Sequence, residues 1–211
     1  MKSSHNNLRL LLETKNDHVE VERLLDLVFT PRRKLLSSYQ LRGSANKVDN
    51  LSYVLKDNSN KIVGSIQFWN IRLHNHSSKG LLLGPLAIHP IYQSEGLGEK
   101  LVLNSIEKAY VNNWNWIVLV GDINYYSRFG FNKKVTHGVT IGNGLDNSRL
   151  LGLDIKITIL KQHLVVWLRL TNNSKYSTTD FVNRKRHEDS LQQAPNTFFQ
   201  LKLKALFLKL K

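Results

Sequence analysis

The sequence predicts an α+β fold built on a mixed sheet with flanking helices. Three observations carry this. Short apolar stretches of strand character alternate with segments whose apolar residues recur at helical spacing. Residues Leu51 to Leu73 read as two strands around a turn-rich centre, which supplies antiparallel pairing. The run Leu81 to Ile88, a helix, and the run Trp116 to Val120 follow one another as a right-handed βαβ crossover, which supplies parallel pairing.

The elements follow in order. Leu8 to Glu13 is a first strand. Asn16 or Asp17 can cap the next helix, with Glu20 three residues after Asp17 in capping-box style. Val21, Leu24, Leu25 and Val28 then form one buried stripe. Thr30-Pro31 ends or bends that helix, and a shorter helical piece is predicted around Arg33 to Leu41. Leu51 to Leu55, the turn Asp57-Asn58-Ser59-Asn60 and Ile62 to Leu73 make the hairpin, followed by a polar loop from His74 to Ser78.

Leu81 to Ile88 is apolar almost throughout, as a strand covered on both faces would be, yet Gly84-Pro85 interrupts it. Proline cannot donate to a ladder, so the strand is either an edge or is broken by a bulge or splay; its apolar character favours the break. Gly98, Leu101, Val102, Ser105, Ile106 and Ala109 share one helix face. After the strand Trp116 to Val120, a short helix through Tyr125 to Arg128 ends at Gly130, and Phe131 is predicted to begin a further strand. Gly142-Asn143-Gly144 marks a loop, and Leu150 to Ile155 is the last strand.

The 211 residues give room for a proper core without covalent staples. With no cysteine, disulfide frameworks, thiolate metal sites and cysteine nucleophiles are excluded. No signal peptide is expected from the N-terminal residues, and no apolar run approaches the roughly 20 residues that span a bilayer. The expectation is a soluble cytoplasmic protein. The formal charge is +14, and half of it, +7, falls in residues 161–211. That tail is expected to be a poorly ordered basic extension. A basic surface attracts phosphates, RNA or an anionic membrane in a salt-sensitive way, or stays merely solvated.

The segment that carries chemistry is Gln93-Ser94-Glu95-Gly96-Leu97-Gly98, between a buried strand and a strong helix. Backbone N–H groups stand unpaired at such a helix start and the helix dipole points outward, so a phosphate or pyrophosphate fits there. Gly96 and Gly98 let a ligand or the sheet approach the backbone. The pattern is neither a P-loop nor a dinucleotide fingerprint.

Gln93-x-x-Gly96-x-Gly98 resembles the Gln/Arg-x-x-Gly-x-Gly/Ala signature of the GNAT superfamily of acyl-CoA-dependent N-acetyltransferases. Tyr125-Tyr126-Ser127-Arg128-Phe129-Gly130-Phe131 is similar to that family's Phe-Tyr-x-x-x-Gly-Phe segment, in the right order. Leu83 to Pro90, Val120-Gly121-Asp122 and Arg149 to Gly152 resemble the YhbS-like branch. The resemblance covers about residues 8 to 160, so residues 1–160 are expected to form the acetyltransferase domain and 161–211 the extension.

The resemblance implies a fold in which two parallel strands splay apart and admit the pantetheine arm of acetyl-CoA. Leu86, Ala87 and Ile88, with Gln93, Ser94, Glu95, Gly96, Leu97 and Gly98, would hold this co-substrate, and no metal is implied. Backbone groups of Leu86 and Ile88 would pair with the pantetheine, one N–H serving as oxyanion donor. Tyr126 corresponds to the family tyrosine near the sulfur and is the implied general acid. For the base, Asp122, His89, Glu22 and a water chain stay open. The implied reaction is direct acetyl transfer to a primary amine in a ternary complex. A non-catalytic acyl-CoA sensor or a nucleic-acid-binding protein on the same fold is the alternative, and the amine acceptor is not legible.

Overall fold

The computed structural model describes residues 8–35, 39, 41–42, 45–72, 79–139 and 147–159. The loop at 74–78, Gly142-Asn143-Gly144, part of the helical piece expected around Arg33 to Leu41, and the whole basic extension 161–211 lie outside the described residues. Among the described residues six strands form one sheet: β1 Arg9–Leu12, β2 Tyr53–Lys56, β3 Ile62–Ile71, β4 Gly80–Ile88, β5 Trp116–Val120 and β6 Leu150–Asp154. Their spatial order equals their chain order. Only β4 and β5 pair in parallel, joined by helix α2, Leu97–Val111; every other neighbouring pair is antiparallel.

Helix α1, His18–Phe29, covers one face through Val21, Leu24 and Leu25, packed on Val54, Ile62 and Ala87. Helix α2 covers the opposite face, and its predicted stripe is the buried one: Leu101, Val102, Ser105, Ile106 and Ala109. It meets Leu55, Ile66, Phe68, Leu81, Leu83, Ile117 and Leu119 in the main core. Burying each such side chain stabilises the fold by roughly 1.5–3 kcal/mol against leaving it exposed. Among the described residues, no helix is long and apolar enough to cross a membrane.

Two expectations are corrected. No strand begins at Phe131; Asn132 makes only an isolated bridge to Gly152. The Asn132 side-chain oxygen accepts from the backbone N–H groups of Lys134 and Val135 at 3.0 and 3.2 Å, which bends the chain into turns. The helix start is also built differently. Asp17 does not cap α1 with its side chain; a short 3-10 turn, Lys15–Asp17, precedes the helix. The Asp17 carboxylate instead accepts from the N–H and hydroxyl of Thr14, both at 2.8 Å, and from Lys56 Nζ at 2.6 Å. Glu20 reaches across to the sheet, accepting from the Ile62 N–H at 2.8 Å.

Burial alone would push the Asp17 carboxyl up, but Lys56 and the two Thr14 donors outweigh it and hold the group below its ordinary value. A depressed native pKa contributes stability that is complete above about pH 4, the unfolded value, and is lost as pH falls through the lower folded value. Asp17→Asn should therefore flatten the stability profile below about pH 4, read by urea unfolding at stepped pH. An unchanged acid limb would show that Asp17 contributes nothing to it.

Candidate active site

The parallel ladder between β4 and β5 is short. It pairs Gly80 with Trp116, Leu81 with Ile117 and Leu82 with Val118, and goes no further. Past that point β4 stays bonded to β3 alone, with Leu86, Ala87 and Ile88 opposite Ile66, Ser65 and Gly64. The strands part at Gly84-Pro85, where the β3–β4 register also shifts, between Ile66 and Phe68, beside a proline that has no N–H to offer β3. The indole N–H of Trp69 donates to the Gly84 carbonyl at 2.8 Å and fixes the point of parting.

The register decides which amides line the gap. His89 N–H donates to the Val63 carbonyl at 2.8 Å, so that pair, and by alternation Ala87 with Ser65, are the hydrogen-bonded pairs with β3. Leu86 and Ile88 therefore turn their N–H groups away from β3, into the gap where a neighbouring strand would otherwise run. The Ile88 carbonyl on that side accepts from Gln93 Nε2 at 3.0 Å, which ties the following loop to the strand end.

That loop leads into the 15-residue helix α2. Gly96 is its N-cap, at φ 75°, a left-handed conformation that glycine adopts without cost, and Ser94 shares it at φ 66°. Gln93, Ser94, Glu95 and Gly96 are exposed, while Leu97 and Gly98 are half-buried. The first-turn N–H groups have no intrahelical partner and carry the positive end of the helix dipole, which favours negative charge at this loop. A Cβ on Gly98 would lie 2.7 Å from the Tyr125 hydroxyl and 3.8 Å from Ile88 Cγ1. The bare Cα thus admits Tyr125 to the loop. The Arg128 guanidinium lies 4.8 Å from the Tyr125 ring centre, and its Nε donates to the Tyr125 carbonyl at 2.9 Å. Sequence reasoning gave Tyr125 no place at the loop, because only the glycine vacancy in three dimensions brings it there.

Helix α3, Ile123–Tyr126, follows β5 directly. Asp122 caps it, its carboxylate accepting from the Asn124 N–H at 2.9 Å. The Tyr126 ring leans on Gly121, where a Cβ would lie only 2.5 Å from Cε2, and stands edge-on to Tyr125 and Phe131 at centroid distances of 4.9 and 5.8 Å. Burial pushes the Tyr126 hydroxyl well above the ordinary phenol value, with Tyr125 adding to the shift and Arg149 opposing it. The group is a hydrogen-bond donor throughout the neutral range. Asp122 also lines an open cavity of about 290 Å³ with Lys133, Ser148 and Arg149.

The structure places Leu86, Ile88, Gln93, Gly96, Gly98 and Tyr125 around one gap, with Tyr126 beside Tyr125. Ala87 belongs to the opposite face, packed under α1. His89 is spent on the turn Pro90–Tyr92, its Nδ1 accepting from the Ile91 N–H at 3.4 Å. The Glu22 carboxylate is bound to Arg33 Nη2 at 2.7 Å. Tyr53 of β2 is a core residue under α2. Among the described residues, no cluster of three or more His, Asp or Glu side chains could hold a metal ion.

Gly121→Ala should force the Tyr126 ring off its seat and cost roughly 1–3 kcal/mol, the usual penalty of overpacking, read as a lower urea midpoint. A midpoint equal to the parent's would mean the ring is free to move.

Comparison with known proteins agrees with this geometry. Residues 49–133 match the sequence model of the acetyltransferase (GNAT) domain. The chain is 26% identical over 87 residues to the uncharacterized N-acetyltransferase YhbS of Escherichia coli strain K12, covering 41% of this chain. It spans about half, 52%, of that curated relative's length. The crystal structure of E. coli YhbS in complex with CoA superposes with a TM-score of 0.59 at 21% identity, over 70% of this chain and 81% of that one. A GNAT family acetyltransferase from Brucella melitensis in complex with acetyl-CoA gives a TM-score of 0.53 at 21% identity, over 71% and 89% of the two chains. The splayed sheet, the glycine loop and these likenesses converge: the chain has the GNAT acetyltransferase fold and is similar to YhbS of E. coli.

Proposed function

We propose that this protein is an acetyl-CoA-dependent N-acetyltransferase that acts on a primary amine by direct transfer in a ternary complex. The observation that carries the reading is the gap itself: two strand amides, Leu86 and Ile88, facing a space that opens onto an anion cradle at Gly96 and Gly98. A ligand that fits must combine an extended, amide-bearing arm with a pyrophosphate, as acetyl-CoA does. CoA and acetyl-CoA in the two solved structures of the same fold support that choice.

The thioester supplies the acetyl group. Leu86 and Ile88 would hold the arm, and one of their N–H groups would stabilise the negative charge that develops on the carbonyl oxygen. Gln93 to Gly98 would take the pyrophosphate. The C–N bond forms as the C–S bond breaks; the amine loses a proton and the sulfur gains one. Tyr126 is assigned to the sulfur. Its raised pKa keeps it protonated, so against a thiol near 8.5 its contribution is a hydrogen bond to the departing sulfur, and the thiolate takes its proton from water. Asp122, already holding the Asn124 N–H, would take the ammonium proton directly or through water. Glu22 and His89 carry partners of their own, as Asp122 does, and stay open for that role together with water.

Calorimetric titration should show acetyl-CoA binding that weakens with salt, and thiol release should appear with a mixed amine library. Tyr126→Phe should lower kcat by about 10²-fold, the low end for an acid–base group, with acetyl-CoA affinity little changed. Equal losses in kcat and in affinity would remove Tyr126 from the chemistry and leave it a packing residue.

A further inference from the structure

The gap at Gly84 has a second face, on the side of α1, and a built cluster of cationic and aromatic groups stands over it. Trp69, which holds the Gly84 carbonyl, packs there with Leu82, Val118 and Leu150. The Arg42 guanidinium lies 5.0 Å from the Trp69 ring centre and 3.6 Å from that of Tyr39. With aromatic rings beside it, the guanidinium keeps its in-plane edge for polar partners.

The neighbouring groups satisfy the guanidinium only in part: Tyr39 hydrogen-bonds it and Glu22 attracts it. Arg33, only 1% exposed, takes the carboxylates of Glu22 and Asp26 at 2.7 and 2.8 Å and also donates to the Tyr39 hydroxyl. Arg42 forms no ion pair among the described residues, and its Nε is buried with no hydrogen-bond partner. Buried donors are ordinarily paired, so an orphaned guanidinium nitrogen beside a site marks a missing acceptor atom. Burial also pulls the Arg42 pKa down, with Tyr39 opposing; a bound anion would relieve that cost.

We propose that Arg42 reads a carboxylate on the acceptor, so that the substrate class is an amine bearing a nearby carboxylate, as an α-amino acid does. A planar carboxylate matches a guanidinium edge by two parallel N–H···O bonds. The position suits the reaction: the cradle for the nucleotide lies at the start of α2, whereas Arg42 stands on the α1 face, one indole away from the residue where the strands part. The acceptor then approaches from the face its co-substrate leaves open. This inference rests on the acetyltransferase reading above.

The test measures thiol release from acetyl-CoA with matched amines: an α-amino acid, the same amine without its carboxylate, and the phosphate ester of the corresponding amino alcohol. The wild type should favour the carboxylate member roughly 10–100-fold in kcat/KM, the worth of one charge-assisted pair. Arg42→Met should bring that ratio close to one through the KM of the acid, and Arg42→Lys, which keeps the charge without the fork, should restore only part of it. Equal turnover of the matched pair by the wild type overturns the proposal whatever the variants do. Preference for the phosphate ester overturns the carboxylate assignment. If acetyl-CoA binds and no amine is turned over, the acetyltransferase reading fails and this proposal with it; turnover blind to the acid removes the Arg42 proposal alone.

Discussion

The structure depends on an interrupted ladder. Two parallel strands in a buried sheet would ordinarily exchange hydrogen bonds along their whole length, because an unpaired amide away from water costs about as much as a lost bond. Here β4 and β5 stop pairing after Leu82 and Val118, and the amides of Leu86 and Ile88 face the space between them. The Trp69 indole holds the Gly84 carbonyl, and the β3–β4 register shifts between Ile66 and Phe68 beside the break. The sheet remains whole because β4 pairs with β3 on both sides of that shift.

The two faces of the break are furnished differently. On the α2 side, Gly98 admits Tyr125 and Gly121 admits Tyr126, so two aromatic side chains crowd onto backbone where a Cβ would collide. On the α1 side, the furnishing is cationic, with Arg33 saturated by Glu22 and Asp26 and Arg42 stacked on rings but unpaired at Nε. An amide-lined slot with a positive helix end on one side and a guanidinium on the other is the division that the proposed ternary reaction needs.

Much of this was legible in the order of residues. Proline at 85 announces the break on elementary grounds, since a residue with no N–H cannot serve a central ladder. The stripe from Leu101 to Ala109 and the stripe of Val21, Leu24 and Leu25 follow from helical spacing, and both are buried. The glycines at 96 and 98 mark the cradle. Other features escaped because they are made by contacts distant in sequence or by local competition. Phe131 looks like a strand start, but it is apolar because it packs on Tyr126, and the Asn132 side chain turns the chain at once. Asp17 looks like a helix cap, but Lys56, 39 residues on, and Thr14 claim its carboxylate. Tyr125 stands in the recognised segment without a role of its own there, and Arg128 and Arg42 carry no signal; each acquires meaning from a vacancy or a ring supplied by another residue.

The most direct measurement is hydrogen exchange at single amides of β4 with and without acetyl-CoA. Leu86 and Ile88 should exchange faster than Ala87 in the free protein and slow markedly on addition of the ligand, while Ala87, already bonded to β3, should change little. Protection of Leu86 and Ile88 equal to that of Ala87 before ligand is added, or no change in either on saturation, would contradict the open gap and its occupant together.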